Sequence, residues 1–189
     1  MDEVHALMLE AIQRNRKYAG FFDWAPDRDL AELGVARLLA GSLEKHGSLF
    51  FAGLKIRGRG NDPPDLEAVN GEGLRVAIEV TELVDGDAIK ATVKNHRFDT
   101  AVWDQEKFLS DLNVRLMAKN ACFQNLKGGP YPGGYVVVVF TDELYLDGPS
   151  VERFLNEQVF VGLSNIDRAF LLLSYFSDKG YQYFELKVN

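Results

Sequence analysis

Three carboxylates, Asp65, Glu67 and Glu79, lie in the stretch NDPPDLEAVNGEGLRVAIEVTEL (61–83) among apolar residues that read as the inside of a sheet. An unpaired charge is too costly to keep in such surroundings, so each must be neutralised, hydrogen-bonded or given a cation. Side chains alternate along a strand, which puts Ala77, Glu79 and Thr81 on one face and Val76, Ile78 and Val80 on the other. Asp65 and Glu67 share a face of the preceding strand. Whether these two faces coincide depends on the turn between them. A three-residue loop, Gly71-Glu72-Gly73 with Gly73 left-handed, sets Asp65 opposite Glu79, with Cβ atoms roughly 4.5–5.5 Å apart and two carboxylates able to share a cation. A two-residue Asn70-Gly71 loop sets Asp65 against Val76 instead, and turn preferences favour it at least equally. Only the first register makes a metal site.

The chain has one cysteine, Cys122, and three histidines, His5, His46 and His96. This excludes an internal disulfide and a Cys/His zinc cluster, so any metal must be held by oxygen. Cys122 with His96 as a thiol pair lacks any local signature, and Cys122 reads as a buried helix residue. There is no GxSxG elbow, no GxxxxGK[ST] loop and no dinucleotide fingerprint, because GLKIRGRGN lacks the helix that should follow.

The elements that must position the carboxylates follow from periodicity. A helix over 1–19 has Val4, Leu7, Met8, Ala11 and Ile12 at helical spacing, and a second over 26–46 carries the stripe Val35, Ala36, Leu39 and Leu43, with Gly47 as C-cap. From residue 48 the period changes to two, and SLFFAGLKIRGRG becomes a strand with Leu54 and Ile56 on one face and Lys55, Arg57 and Arg59 on the other. With PDLEAVN and LRVAIEVTEL it makes an antiparallel meander. Residues 87–125 are mostly helical, with Leu109, Leu112 and Leu116 as a core stripe, and GGPYPGG then interrupts the chain. YVVVVF is a central strand covered on both faces, followed by a short helix over 150–159 and the strands RAFLLLSYF and YQYFELKV.

With 189 residues, 47% of them hydrophobic, the chain suits one domain with a substantial core. No apolar run approaches the ~20 residues that cross a bilayer, and the N-terminus lacks the order of a signal peptide, so the expectation is a cytoplasmic protein with no membrane partner. A net charge of −7 argues against strong non-specific adhesion to nucleic acid, which leaves local basic patches to be sought separately.

The order of elements, with Pro64-Asp65 on one strand and Glu79-Val80-Thr81 on the next, resembles the PD-(D/E)XK nuclease superfamily over roughly 30–140. The resemblance implies an α/β fold of the restriction-endonuclease-like kind: a helix, a three-strand antiparallel meander, a helix and a further strand in a mixed sheet. The single domain would span 1–189, with the C-terminal strands after about 141 as an extension. It also implies a nuclease hydrolysing phosphodiester bonds in nucleic acid, DNA ahead of RNA, with Mg²⁺ or Mn²⁺ as cofactor. Asp65, Glu79 and the backbone carbonyl of Val80 would be ligands, with Glu32 as the helix carboxylate and Glu44, off the stripe, a weaker candidate. Mg²⁺ held by two carboxylates polarises the scissile phosphate and helps deprotonate water, so no protein nucleophile is needed. The departure is Thr81, where most members carry the lysine that orients or activates the attacking water. Lys90 and Lys94, just beyond the strand, are the candidates to replace it.

Lys55, Arg57 and Arg59 form a stripe suited to phosphates flanking the cut, or equally to charge protection of an edge strand. Lys90, Lys94 and Arg97 line a groove or solubilise a helix; His96 reads as a surface histidine, and Trp24, Trp103 and the 181–184 run read as packing residues. Asp65 could instead cap a turn, Glu79 could face solvent from an edge strand, Glu67 could support the site or be exposed, and Glu32 could be an ordinary surface glutamate. Two other functions compete with the nuclease: a non-catalytic nucleic-acid-binding protein that keeps the fold, and a protein-binding protein whose acidic cluster is structural. The C-terminal hairpin offers a surface for a homodimer.

Overall fold

The computed structural model describes residues 28–58, 60–88, 103–143, 145–176 and 179–189. The expected helix over 1–19 and Trp24, Arg59, Lys90, Lys94, His96 and Arg97 lie outside the described residues. The elements are α1 (Arg28–Lys45), β1 (Phe51–Ile56), β2 (Leu66–Asn70), β3 (Arg75–Glu82), α2 (Gln105–Cys122), β4 (Tyr135–Thr141), α3 (Gly148–Leu155), β5 (Arg168–Phe176) and β6 (Gly180–Leu186). The strands form one six-stranded mixed sheet in sequence order, making a mixed α/β protein. No helix among the described residues is long and apolar enough to cross a membrane.

The alternation read in β3 and β4 sorts the core into two layers. Val76, Ile78, Val80, Val136, Val138, Phe170 and Leu172 face α1, which supplies Val35, Ala36, Leu39 and Leu43. Ala77, Val137, Val139, Ala169, Leu171 and Leu173 face the opposite layer, built from Phe108, Leu112 and Leu116 of α2 and Val151 and Phe154 of α3. Covered on both sides, β4 keeps every residue but Phe140 fully buried. It runs parallel to β3 and β5, while β1–β2–β3 is the expected antiparallel meander.

Local chemistry sets the element ends. Gly47, at φ +65, closes α1 with the hydrogen bonds Gly47 N to Glu44 O and Ser48 N to Leu43 O, the left-handed C-terminal turn that glycine favours. Asp104 caps α2 by accepting from Lys107 N at 2.8 Å, and Asp147 caps α3 by accepting from Ser150 N at 2.9 Å. β1 covers only 51–56 of its alternating sequence, and a bulge falls within it between Ala52 and Lys55, where Gly53 adopts φ +68.

The β2–β3 turn takes the three-residue form. Asn70 N donates to Leu74 O, Gly73 N donates to Asn70 O, and Gly73 has φ +76. The Asn70 side chain accepts from Glu72 N and Leu74 N, both at 3.0 Å, which favours this loop over the Asn-Gly alternative. The pairs Leu66↔Ile78, Glu67↔Ala77 and Ala68↔Val76 follow, and the same register carried one residue outward brings Asp65 to Glu79.

Candidate metal centre

Asp65 and Glu79 meet at the end of this hairpin, on the sheet face that α2 covers. They are 4% and 1% exposed, so neither can be satisfied by bulk water. Asp65 Oδ2 accepts from Val80 N at 2.8 Å, which locks the carboxylate against the next strand. Asp62, four residues after Gly58, joins them: Asp62, Asp65 and Glu79 each offer a carboxylate oxygen, all within 4.8 Å of one another.

Two cations partly compensate this charge. Lys119, in the last turn of α2, donates to Glu79 Oε2 and lies 3.4 Å from Asp65 Oδ2. Tyr135 OH donates to Lys119 O at 2.8 Å, so the first residue of β4 fixes the backbone that carries the ammonium. From the opposite layer, Arg28 at the start of α1 reaches Glu32 Oε1 (2.7 Å), Asp62 Oδ2 (2.7 Å) and Asp65 Oδ1 (2.8 Å). Four carboxylates thus face two cations, leaving an excess of two negative charges when all are ionised. Among the described residues, Glu79 Oε1 is buried with no hydrogen-bond partner.

The electrostatics follow from that excess. Burial first, and then the charge on Asp65, push the Glu79 carboxyl up to about 7 against Lys119, which pulls it down. Glu32 is raised to about 7 for the same two reasons, opposed by Arg28. Burial works to lower the Lys119 ammonium, but Asp65 and Glu79 outweigh it and the net shift is upward. Hydrogen bonds to Glu32 and Asp62 raise Arg28 further. A divalent ion fits this donor set: the atoms are all hard oxygens, one buried oxygen is bare, and the charge deficit is two.

The remaining residues singled out in the sequence take other places. Thr81 shares Glu79's face and is half-buried, and Val80 contributes the N–H that holds Asp65. Glu44 is exposed at the far end of α1. Glu67 accepts from Arg75 at 2.7 Å and from Arg57 at 3.2 Å, and these ion pairs hold its carboxyl below the ordinary range. Arg57 also donates to Lys127 O, so it braces the loop after α2, whereas Lys55, paired with Glu67 across the strands, is exposed. Cys122 is half-buried in the last turn of α2, its thiol raised chiefly by burial, and Trp103 is a buried packing residue.

Sequence reasoning missed Lys119, Asp62 and Arg28. The signal for Lys119 was present: it continues the stripe of Leu112 and Leu116 at the next helical step, and a lysine on a core-facing stripe requires an acidic partner. Asp62 had no comparable signal, because it comes from a loop whose course periodicity does not set; Arg28 falls in the first turn of the expected helix, but nothing there shows that its side chain reaches beyond Glu32 to Asp62 and Asp65. Comparison of the chain with protein-family models, curated proteins and solved structures gives no match.

Proposed function

We propose that this chain is a metal-dependent nuclease of the PD-(D/E)XK type with a restriction-endonuclease-like core, hydrolysing phosphodiester bonds in nucleic acid, DNA ahead of RNA. The observation that carries the reading is the buried Glu79 carboxylate, one oxygen bare, beside Asp65, Asp62 and the ammonium of Lys119. Asp65, Glu79 and Asp62 would hold Mg²⁺ or Mn²⁺, with the Val80 carbonyl and Glu32 in the supporting places that the resemblance gives them. When bound, the ion supplies Lewis-acid stabilisation of the phosphate and a lowered pKa for the attacking water.

Lys119 fills the role left open by Thr81, reaching the acidic pair from the following helix. Its ammonium is held protonated by Asp65 and Glu79, so it orients the attacking water and stabilises the phosphorane-like charge; it does not act as the base. Lys55, opposite Glu67 on the neighbouring strand, is exposed and able to meet a flanking phosphate. Arg57 acts from its brace on the Lys127 loop.

One observation favours a second reading. Arg28 and Lys119 already compensate half of the acidic charge, as in a buried ion-pair network that only stabilises a fold used for binding. Cleavage of a mixed DNA and RNA panel in Mn²⁺ or Mg²⁺, by wild type and by Glu79→Ala, separates the two. Activity that disappears in the variant is the expected result. No metal-dependent cleavage by wild type would refute the nuclease and leave the binding protein, and equal cleavage by both would remove this hairpin from the chemistry.

A further inference from the structure

A further step concerns Arg28 and rests on the metal reading above. Its guanidinium engages three carboxylates at once: Nε on Glu32, and a single terminal nitrogen on both Asp62 and Asp65. That nitrogen sits on two of the three residues whose carboxylate oxygens converge. An ion held by Asp62, Asp65 and Glu79 can take the bare Glu79 Oε1 and leave Lys119 on Oε2, but at Asp62 and Asp65 it is crowded against the Arg28 nitrogen, and the repulsion sets the two in competition.

The exposures are asymmetric. The Arg28 side chain is 51% exposed while that of Asp65 is 1%, so the guanidinium can move into solvent and the carboxylate cannot follow. Glu32 holds the Nε edge, so Arg28 keeps an anchor at the site's rim after it lets go of the two aspartates. A guanidinium fork released there matches the geometry of a phosphate.

We propose that Arg28 is a tethered counter-cation that fills the divalent ion's place in the metal-free protein, yields Asp62 and Asp65 to the ion, and then binds a phosphate of the substrate. Ion and nucleic acid are thereby coupled, because the first to bind frees the group that the second uses. Without the ion, the arginine keeps the carboxylates from repelling one another.

The test is Mn²⁺ binding to the full chain without nucleic acid, by titration calorimetry, for wild type, Arg28→Gln and Arg28→Lys, with circular dichroism verifying the fold. Arg28→Gln tightens Mn²⁺ binding by about tenfold, the effect of losing one competing charge-assisted contact, and Arg28→Lys falls between. In Ca²⁺, the affinity of Arg28→Gln for a short labelled DNA duplex falls by about tenfold in the opposite sense. Equal or weaker Mn²⁺ binding by folded Arg28→Gln overturns the proposal while the metal reading stands. Undiminished duplex binding overturns its phosphate half, and absence of Mn²⁺ binding in all three proteins removes the metal reading together with the proposal.

Discussion

Replacing Lys119 with methionine keeps the length of the side chain and deletes the ammonium between Asp65 and Glu79. Breaking a buried ion pair by removing one partner costs about 3–5 kcal/mol when the orphaned charge must remain. Here it need not remain at neutral pH. Glu79 already titrates at about 7, and Lys119 is one of the influences holding it down, so without the lysine it stays protonated well above 7. Asp65 keeps Arg28 and the Val80 N–H. The expected loss at pH 7 is therefore about 1–3 kcal/mol, the cost of an imperfectly satisfied polar group. Above pH 7 the loss grows by up to about 1.4 kcal/mol per pH unit, because the variant's folded state must hold a proton that the unfolded chain and the wild type have released. Urea unfolding of both proteins at pH 6, 7.5 and 9 reads this directly. A stability difference that is constant across pH, or absent, would refute the placement of Lys119 against these carboxylates.

Other expectations follow from the same geometry. Glu32 and Glu79 are held near 7 in the fold against an ordinary value of 4.5, so the folded protein binds more protons between those values. Metal-free protein is therefore most stable below about pH 4.5 as far as these two groups are concerned, loses stability as pH rises to 7 and levels off beyond. Mg²⁺ offsets the loss, raising stability by about 2.7 kcal/mol at a hundred times its dissociation constant and less at pH 5, where protons compete. Thermal unfolding with and without Mg²⁺ at pH 5 and 8 checks both. Gly133→Ala would place a Cβ 2.7 Å from Leu74 O and 2.8 Å from Arg75 O, pushing the loop after α2 off the edge of β3. A loss of about 1–3 kcal/mol is expected in chemical denaturation.

The sheet was largely legible because its signals are local. The β-branched run from Tyr135, the period-two pattern of β3 and the leucine stripe of α2 each fix an element and the face it buries. The register of the hairpin was legible only as a choice of two, and the Asn70 side chain, hydrogen-bonded to Glu72 N and Leu74 N, selects the loop that brings Asp65 to Glu79. Register depends on such contacts within a turn, and composition alone ranks them poorly. The cations were harder still. Lys119 lies 40 positions from Glu79 and Arg28 lies 37 from Asp65, and only the packing of α1 and α2 on opposite faces of the sheet brings them to one end of a hairpin. The carboxylates could be seen to need compensation, but what supplied it depended on tertiary structure.

On the nuclease reading proposed above, a divalent ion sits among Asp62, Asp65 and Glu79. Crystals soaked in Mn²⁺ and measured for anomalous scattering test it most directly. The expected result is a single strong peak bounded by these three carboxylates, with the Arg28 guanidinium moved off Asp62 and Asp65. The same crystals showing Arg28 in place and no peak there, at Mn²⁺ concentrations that saturate the protein in solution, would contradict it.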